Sequence, residues 1–369
     1  MKIVYDHQIF GWQKYGGISR YFFELANNIA ISNAADVSVL SPLFVNSYLP
    51  LASENLHVIG RKWPAIRRSG RLFRAVNQLM ASALMRNLSP DIVHETYYSK
   101  HRNAPNNSRV VVTVFDMIHE RFPTSFPAWD LTSREKVLAV QRADHIICIS
   151  EQTRKDLIEI LNINPDYTSV VHLGFSLTQG HNHAEVKTAR ADRPYFLYVG
   201  GRGGYKNFEG FIRAFVANSR LRAGFDVIAF GGGAFSSTER SWLAQLGLVG
   251  DHVRQVSGDD VQLAELYRGA EAFVYPSLYE GFGIPPLEAM GFDCPVVCSN
   301  TSSVPEVVGD AGLFFDPGDV GSIENALVQI TENTSLRSAL VARGRKRIEF
   351  FSWEKCASET VDIYKKVLA

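Results

Sequence analysis

The sequence predicts an α/β protein made of two doubly wound, parallel-sheet domains in tandem. Short β-branched runs alternate with amphipathic stretches of helical period along nearly the whole chain, the signature of βα units around buried parallel strands. The alternation pauses once, over residues 176–194, "SLTQGHNHAEVKTARADRP", which has no apolar periodicity and reads as a linker. A chain of 369 residues also exceeds one ordinary core, since domains usually run to roughly 100–200 residues.

Taken in order, the strand candidates of the first series are "KIVYD" (2–6), "DVSVL" (36–40), "LHVIG" (56–60), "DIVHE" (91–95), "RVVVTVFD" (109–116), "DHIICIS" (144–150) and "TSVVHLG" (168–174). Helices are predicted over 17–30 and over 150–161, the second opened by Ser150 as an N-cap. The second series runs "YFLYVG" (195–200), "FDVIAFG" (225–231), "HVRQVSG" (252–258), "AFVYPS" (272–277), "PVVCSN" (295–300) and "GLFFDP" (312–317). The domains are therefore expected at 1–175 and 195–352, with the amphipathic stretch 353–369 as a separate terminal helix.

Charge narrows the function. Lysine plus arginine equals aspartate plus glutamate at 38 each, so no global field draws in nucleic acid, and a nucleic-acid partner is not expected. Cys148, Cys294, Cys298 and Cys356 are few and scattered, and read as buried free thiols in a reducing compartment. The N-terminus has no apolar run long enough for a signal peptide, and no segment approaches 18 uninterrupted apolar residues, so a cytoplasmic protein is expected. The histidines form no ligand set: His181 and His183 fall in the linker, His94 and His101 lack a third partner, and no metal is expected.

Ligands of doubly wound sheets bind where strands end and helices begin. After the first strand, Gly16 and Gly17 precede a helix, where adjacent glycines let backbone N–H groups approach an anion at the positive end of the helix dipole. The pattern is not GxGxxG, and a plain strand-to-helix turn accounts for it equally well. The second domain opens with "YVGGRGGYKNFEGF", placing Arg202 and Lys206 in a glycine-rich loop. There both cations can converge on a diphosphate, the alternative being a solvated basic turn.

In "SLYEGFGIPPLEAM", Glu280 falls on a loop and Glu288 one turn inside a helix that has Pro285 near its start. The N–H groups of Gly281, Phe282, Gly283 and Ile284 are expected to be exposed there. A carboxylate near a helix N-terminus suits the dipole and explains Glu288. It does not explain Glu280. A loop carboxylate beside backbone donors suits a ligand with both an anion and hydroxyls, as in a nucleotide sugar.

Glu280 and Glu288, with seven residues between them, resemble the E-x7-E signature of retaining, GT-B-fold glycosyltransferases of family GT4. "GGRGGYKN", "VIAFGGG", "LYRGAEAFVYPS", "SNTSSVPEVVGDAGLFFDP", "YGGISRYFFEL" and "IICISEQTRKDL" resemble that family too, in the right order, so the likeness spans nearly the whole chain. The resemblance implies two Rossmann-like domains facing a cleft, with the terminal helix from about Trp353 crossing back to the first. It implies that Glu280 contacts the donor sugar, that Glu288 holds the ribose, and that Arg202 and Lys206 neutralise the diphosphate in place of a metal. Gly16 and Gly17 would approach the donor from the other domain. No cofactor is implied beyond a nucleotide-sugar co-substrate. By likeness to O-antigen-type mannosyltransferases, a GDP-sugar is favoured over a UDP-sugar, mannose is the first choice, and the acceptor is a saccharide, free or lipid-linked, in surface-polysaccharide synthesis.

One departure stands out. Many relatives carry a His-Asp pair where this chain has Phe115 and Asp116 in "TVFDMIHERFP"; His119 either fills that space or is a surface or capping histidine. Two rival expectations are a glycoside hydrolase built on Glu280 and Glu288, which leaves Arg202 and Lys206 unexplained, and an inactive partner subunit, for which Phe115 speaks.

A local basic patch interrupts the neutral balance. From Asn55 to Pro90 there is no acidic residue and there are seven lysines or arginines, six of them, Arg61, Lys62, Arg67, Arg68, Arg71 and Arg74, interleaved with Trp63, Ile66, Leu72 and Phe73. Segment 61–80 reads either as a solvated helix face or as a peripheral contact with the cytoplasmic face of an inner membrane.

Overall fold

The computed structural model describes residues 1–64, 70–177, 193–248 and 252–369; for Arg71, Leu72 and Arg74 it describes the backbone alone. The chain divides into two compact units, one of Met1–Gly174 with Phe351–Ala369 and one of Phe175–Phe350.

All thirteen expected strands form. The first unit holds β1 (Lys2–Tyr5), β2 (Asp36–Phe44), β3 (His57–Lys62), β4 (Ile92–Glu95), β5 (Arg109–Val114), β6 (His145–Cys148) and β7 (Thr168–Val170). They make one parallel sheet in the order β3-β2-β1-β4-β5-β6-β7, with Ile3 of β1 in register with Val37 on one side and Ile92 on the other. Strands covered on both faces need apolar residues at every position, which is why "RVVVTV" reads as a continuous run and is buried after its first residue. Helix Gly17–Ile31 turns Tyr21, Phe22, Leu25, Ala26 and Ile29 inward at helical spacing. Helix Glu151–Leu161 starts where Ser150 accepts the Thr153 N–H at 3.0 Å, a side-chain N-cap.

The second unit holds β8 (Tyr195–Val199), β9 (Asp226–Phe230), β10 (Val253–Val256), β11 (Ala272–Tyr275), β12 (Val296–Ser299) and β13 (Gly312–Phe315), in the order β10-β9-β8-β11-β12-β13. Phe196, Phe208, Phe211 and Phe215 build its core against Val227, Val274 and Leu327.

The last helix, Trp353–Leu368, belongs to the first unit. Its buried residues Trp353, Cys356, Ala357, Thr360, Val361 and Tyr364 recur at helical spacing. Gly174 lies so close under it that a Cβ would fall 2.4 Å from the Trp353 ring. At the far end the Tyr364 hydroxyl is 2.5 Å from His94 Nδ1 and 3.0 Å from the Tyr5 hydroxyl, and His94 Nε2 is 2.9 Å from Thr113 Oγ1. Burial pushes the His94 pKa down to about 3, so the ring is neutral and can donate through one nitrogen while accepting through the other. The network satisfies every hydroxyl it buries, and so ties the helix to β1, β4 and β5 at little desolvation cost.

The four cysteines are free and buried, as their apolar settings predict. Among the described residues no helix is long and apolar enough to cross a membrane. In the basic segment, Arg61 and Lys62 end β3 and are exposed, and Trp63 follows them at 43% exposure. Ile66, Arg67, Arg68, His181 and His183 lie outside the described residues. Helix Gly70–Leu88 exposes Leu79 and Met80.

Candidate active site

The strand order of the second unit reverses between β8 and β11: the chain lays β9 and β10 on one side of β8 and β11 to β13 on the other. Loops leaving two such strands part to opposite faces, which opens a crevice at their carboxyl ends. The two loops here are the basic glycine-rich loop after β8 and the Glu280 loop after β11. Backbone and side chain tie them together. The Leu278 N–H donates to the Tyr205 carbonyl at 2.8 Å, and Asn207 Nδ2 donates to the carbonyls of Pro276 at 3.1 Å and Pro317 at 2.8 Å.

This tie brings Lys206 to Glu280. The ammonium donates to both carboxylate oxygens, at 2.7 and 3.0 Å, with side-chain exposures of 26% and 8%. Glu280 is further fixed from beneath. Ser302, on the loop after β12, accepts the Glu280 N–H at 3.2 Å and donates to its carbonyl at 2.7 Å. Ser303 donates to the carbonyls of Glu280 and Phe282, both at 2.9 Å. The Tyr275 hydroxyl hydrogen-bonds to Glu280, and its pKa is driven well above the usual phenol range, first by burial and then by the Glu280 charge. A carboxylate held this firmly accepts hydroxyl donors in one fixed place, with a cation at hand for a phosphate.

Helix Ile284–Gly291 begins beside them. Gly283 caps it at φ +114°, a left-handed conformation that glycine supplies without strain, and two prolines fill its first turn. Glu288 sits one turn in, where its Oε2 accepts the Tyr267 hydroxyl at 3.2 Å. The exposed run of amides expected before this helix is not found: Gly281, Phe282 and Gly283 are buried, because the Phe282 ring is in the core and Ser303 draws its carbonyl inward.

Arg202 is placed differently from Lys206. Its Nε donates to Glu239 at 2.7 Å, and Nη1 and Nη2 donate to the carbonyls of Gly231 and Ala234 at 3.1 and 3.3 Å. The guanidinium lies 4.6 Å from the Phe235 ring centroid, and the side chain is only 5% exposed. The hydrogen bond from Arg202 pulls the Glu239 pKa down to about 2. Arg202 thus braces the loop of Gly231, Gly232 and Gly233, all three in left-handed conformations. The two cations hold separate carboxylates, Glu280 on the loop after β11 and Glu239 in the first turn of helix Ser237–Gln245, and the solvated basic turn is not what forms.

The remaining candidates lie in the first unit. Gly16 is the N-cap of helix Gly17–Ile31, where Gln13 Oε1 already accepts the Ser19 N–H at 3.1 Å. A Cβ on Gly16 would strike the Gln13 side chain, whereas Gly17 faces open space. Phe115 is buried in an aromatic cluster with Tyr21 and Phe22. Asp116 accepts the Ile118 N–H at 3.0 Å, and the buried Lys136 ammonium donates to its carbonyl at 2.8 Å. His119 stacks on Phe126 with ring centroids 3.8 Å apart and lies 3.6 Å from Asp130. Among the described residues no group of three His, Cys, Asp or Glu side chains forms a metal site.

Ser302, Ser303 and Tyr275 were not singled out from the sequence. The two serines stand in "SNTSSVPE" just before a short helix, where hydroxyls read as ordinary caps; only the folded loop shows them holding Glu280.

A glutamate–lysine pair at the switch point of a doubly wound sheet suits a ligand with both hydroxyl and anionic groups. Comparison with known proteins narrows this class. The family model "Glycosyltransferase Family 4" matches residues 15–179, and "Glycosyl transferases group 1" matches residues 181–347. The chain is 31% identical to O-antigen chain mannosyltransferase B of Escherichia coli, over 95% of this chain and 96% of that protein. It is 26% identical to O-antigen chain mannosyltransferase RfbU of Salmonella typhimurium, over 63% and 64% of the two chains. Among solved structures, sucrose-phosphate synthase from Thermosynechococcus elongatus shares the fold, with a TM-score of 0.75 and 19% identity across 100% of this chain and 99% of that one. The chain belongs to the group 1, family 4 glycosyltransferases, and is an enzyme of the GT-B fold.

Proposed function

We propose that the enzyme is a retaining, metal-independent mannosyltransferase that moves mannose from GDP-mannose to a lipid-linked saccharide during assembly of a bacterial surface polysaccharide. The observation that carries this reading is the Lys206–Glu280 pair, held by three loops at the switch point of the second sheet. Its support for mannose is the likeness to the Escherichia coli mannosyltransferase over almost the full length of both chains.

In this mechanism Glu280 orients the donor sugar through its hydroxyls, and Glu288 takes the ribose. As the bond from the anomeric carbon to the diphosphate oxygen loosens, charge grows on the diphosphate, and Lys206 supplies the stabilisation that a metal gives elsewhere. The acceptor oxygen bonds to the anomeric carbon on the same face, and its proton passes to the departing phosphate oxygen. No side-chain base is needed, so Phe115 does not impair the step. Arg202 contributes by holding the glycine loop, or directly if the ligand draws it from Glu239.

Thermal unfolding against GDP, UDP, dTDP and ADP, without metal, tests the donor assignment. A ligand at 100 times its dissociation constant adds about 2.7 kcal/mol to the native state, so GDP should raise the midpoint by several degrees and the others by less. A winner other than GDP overturns the choice of base, and no shift with any of the four overturns a nucleotide-sugar donor.

The same reading places the enzyme at the membrane surface through segment 61–80. Supporting it are the seven cations without an acid between Asn55 and Pro90 and the exposed Trp63, Leu79 and Met80. A cation near an anionic surface is worth about 1 kcal/mol, so the protein should sediment with phosphatidylglycerol vesicles at low salt and be released at high salt. Equal recovery with phosphatidylcholine vesicles would count against this contact.

A further inference from the structure

The strand order of the first unit reverses as well, between β1 and β4, and its switch point carries exposed aromatic rings. Trp12, on the short helix after β1, is 61% exposed and meets Tyr97, just beyond β4, edge to face with ring centroids 5.3 Å apart. The Tyr97 hydroxyl bonds to Thr132, whose N–H donates to Asp130 at 2.8 Å. Next to Asp130 stands Trp129, 80% exposed, and Asp130 also faces His119. These contacts join Trp12, Tyr97, Thr132, Asp130 and His119 in one path beyond the ends of β1, β4 and β5, with Trp129 adjoining it in sequence at Asp130.

The base under Trp12 and Tyr97 is rigid. Asp6, fully buried, accepts the N–H and hydroxyl of Thr96 at 2.8 and 2.7 Å, Gln8 Nε2 at 2.7 Å and Asn103 Nδ2 at 2.7 Å. Beside it His7, 6% exposed, has an Nδ1 with no hydrogen-bond partner. Indoles left in water on such a base forgo a large apolar burial, which a partner can recover. The chemistry around them selects the partner. A pyranose ring offers a C–H face to an aromatic π face and hydroxyls to carboxylates and imidazole. Asp130 disfavours phosphates, nucleic acids and anionic lipid headgroups, while the charge of Asp116 is offset by the Lys136 ammonium 3.9 Å away.

We propose that Trp12, Tyr97 and Trp129 form the platform on which the acceptor saccharide stacks, with Asp130 and His119 taking its hydroxyls. The proposal rests on the glycosyltransferase reading and adds the chemistry by which the acceptor is held: an uncharged sugar chain recognised through its ring faces.

The test is titration of the full chain with α-linked mannotetraose, with GDP thermal shifts in parallel. Trp12→Ala and Trp129→Ala should each weaken tetraose binding by about tenfold or more, while Trp12→Phe, which keeps a ring, stays within about threefold of wild type. The unfolding midpoint and the GDP shift should not change in any variant. Alanine variants that bind as wild type does overturn the platform. So does a wild type that binds neither mannotetraose nor the matching gluco- and galacto-oligosaccharides, and so do variants that lose vesicle binding and keep saccharide binding. If the GDP shift persists through any of these failures the donor reading stands, and if it is absent while tetraose still binds, the donor reading fails and the platform stands.

Discussion

Glu280→Gln should lower the rate of transfer by about 10²- to 10³-fold, the loss typical when one preorganised group facing the reacting atoms is removed. Glutamine nearly preserves the shape of glutamate and can still accept one bond from Lys206, so the loop held by Ser302 and Ser303 should stay in place. What disappears is the negative charge that balances the ammonium and that, in the proposed mechanism, orients the sugar hydroxyls. The nucleotide-induced rise in unfolding temperature should therefore persist while product formation collapses. Transfer at the wild-type rate in this variant would sink the assignment of Glu280.

Lys206→Ala should fail in the opposite pattern. Truncating one partner of a poorly solvated charge pair costs about 2–5 kcal/mol, so kcat/KM should fall roughly 30- to 5,000-fold. Most of that loss should appear in donor binding. Glu280, at 8% side-chain exposure, would keep its Tyr275 hydrogen bond but lose its counter-charge, and in the proposed mechanism would then repel the diphosphate assigned to Lys206. The nucleotide-induced thermal shift should shrink or vanish. Joining Glu280→Gln to Lys206→Ala should restore part of the lost affinity by removing that repulsion, without restoring turnover. A Lys206→Ala enzyme with an unchanged nucleotide shift would show that the ammonium does not serve the phosphates.

The central strands were legible because they are buried on both faces, which forces apolar runs that few other settings produce, whereas the edge strand β3 is largely exposed and was read from its short β-branched run alone. Ser150 was legible for a local reason, since a cap needs only the three residues that follow it. The pairing of Lys206 with Glu280 was half legible: both residues stood out, but their direct contact depends on β8 and β11 lying side by side. Arg202 shows the limit more clearly. On a glycine-rich turn it has no evident packing role, and its brace comes from Glu239, 37 positions further on, and from carbonyls on the loop after β9. The same holds for Ser302 and Ser303, whose hydroxyls report nothing about Glu280 until the loops are folded together. Pattern reading follows the chain, whereas these contacts follow the sheet.

The docking of helix Trp353–Leu368 on the first unit has a consequence for the order of manufacture. A ribosome adding roughly 5–20 residues per second finishes the contiguous part of that unit, Met1–Gly174, about 10–40 s before it reaches Tyr364. Through that interval His94, Tyr5 and the apolar surface awaiting Trp353 have no cover, while the second unit emerges and can fold to completion. The part made first is thus the part finished last. The newborn enzyme passes through a stage in which a complete second unit follows a first unit still open to solvent, proteases and chaperones.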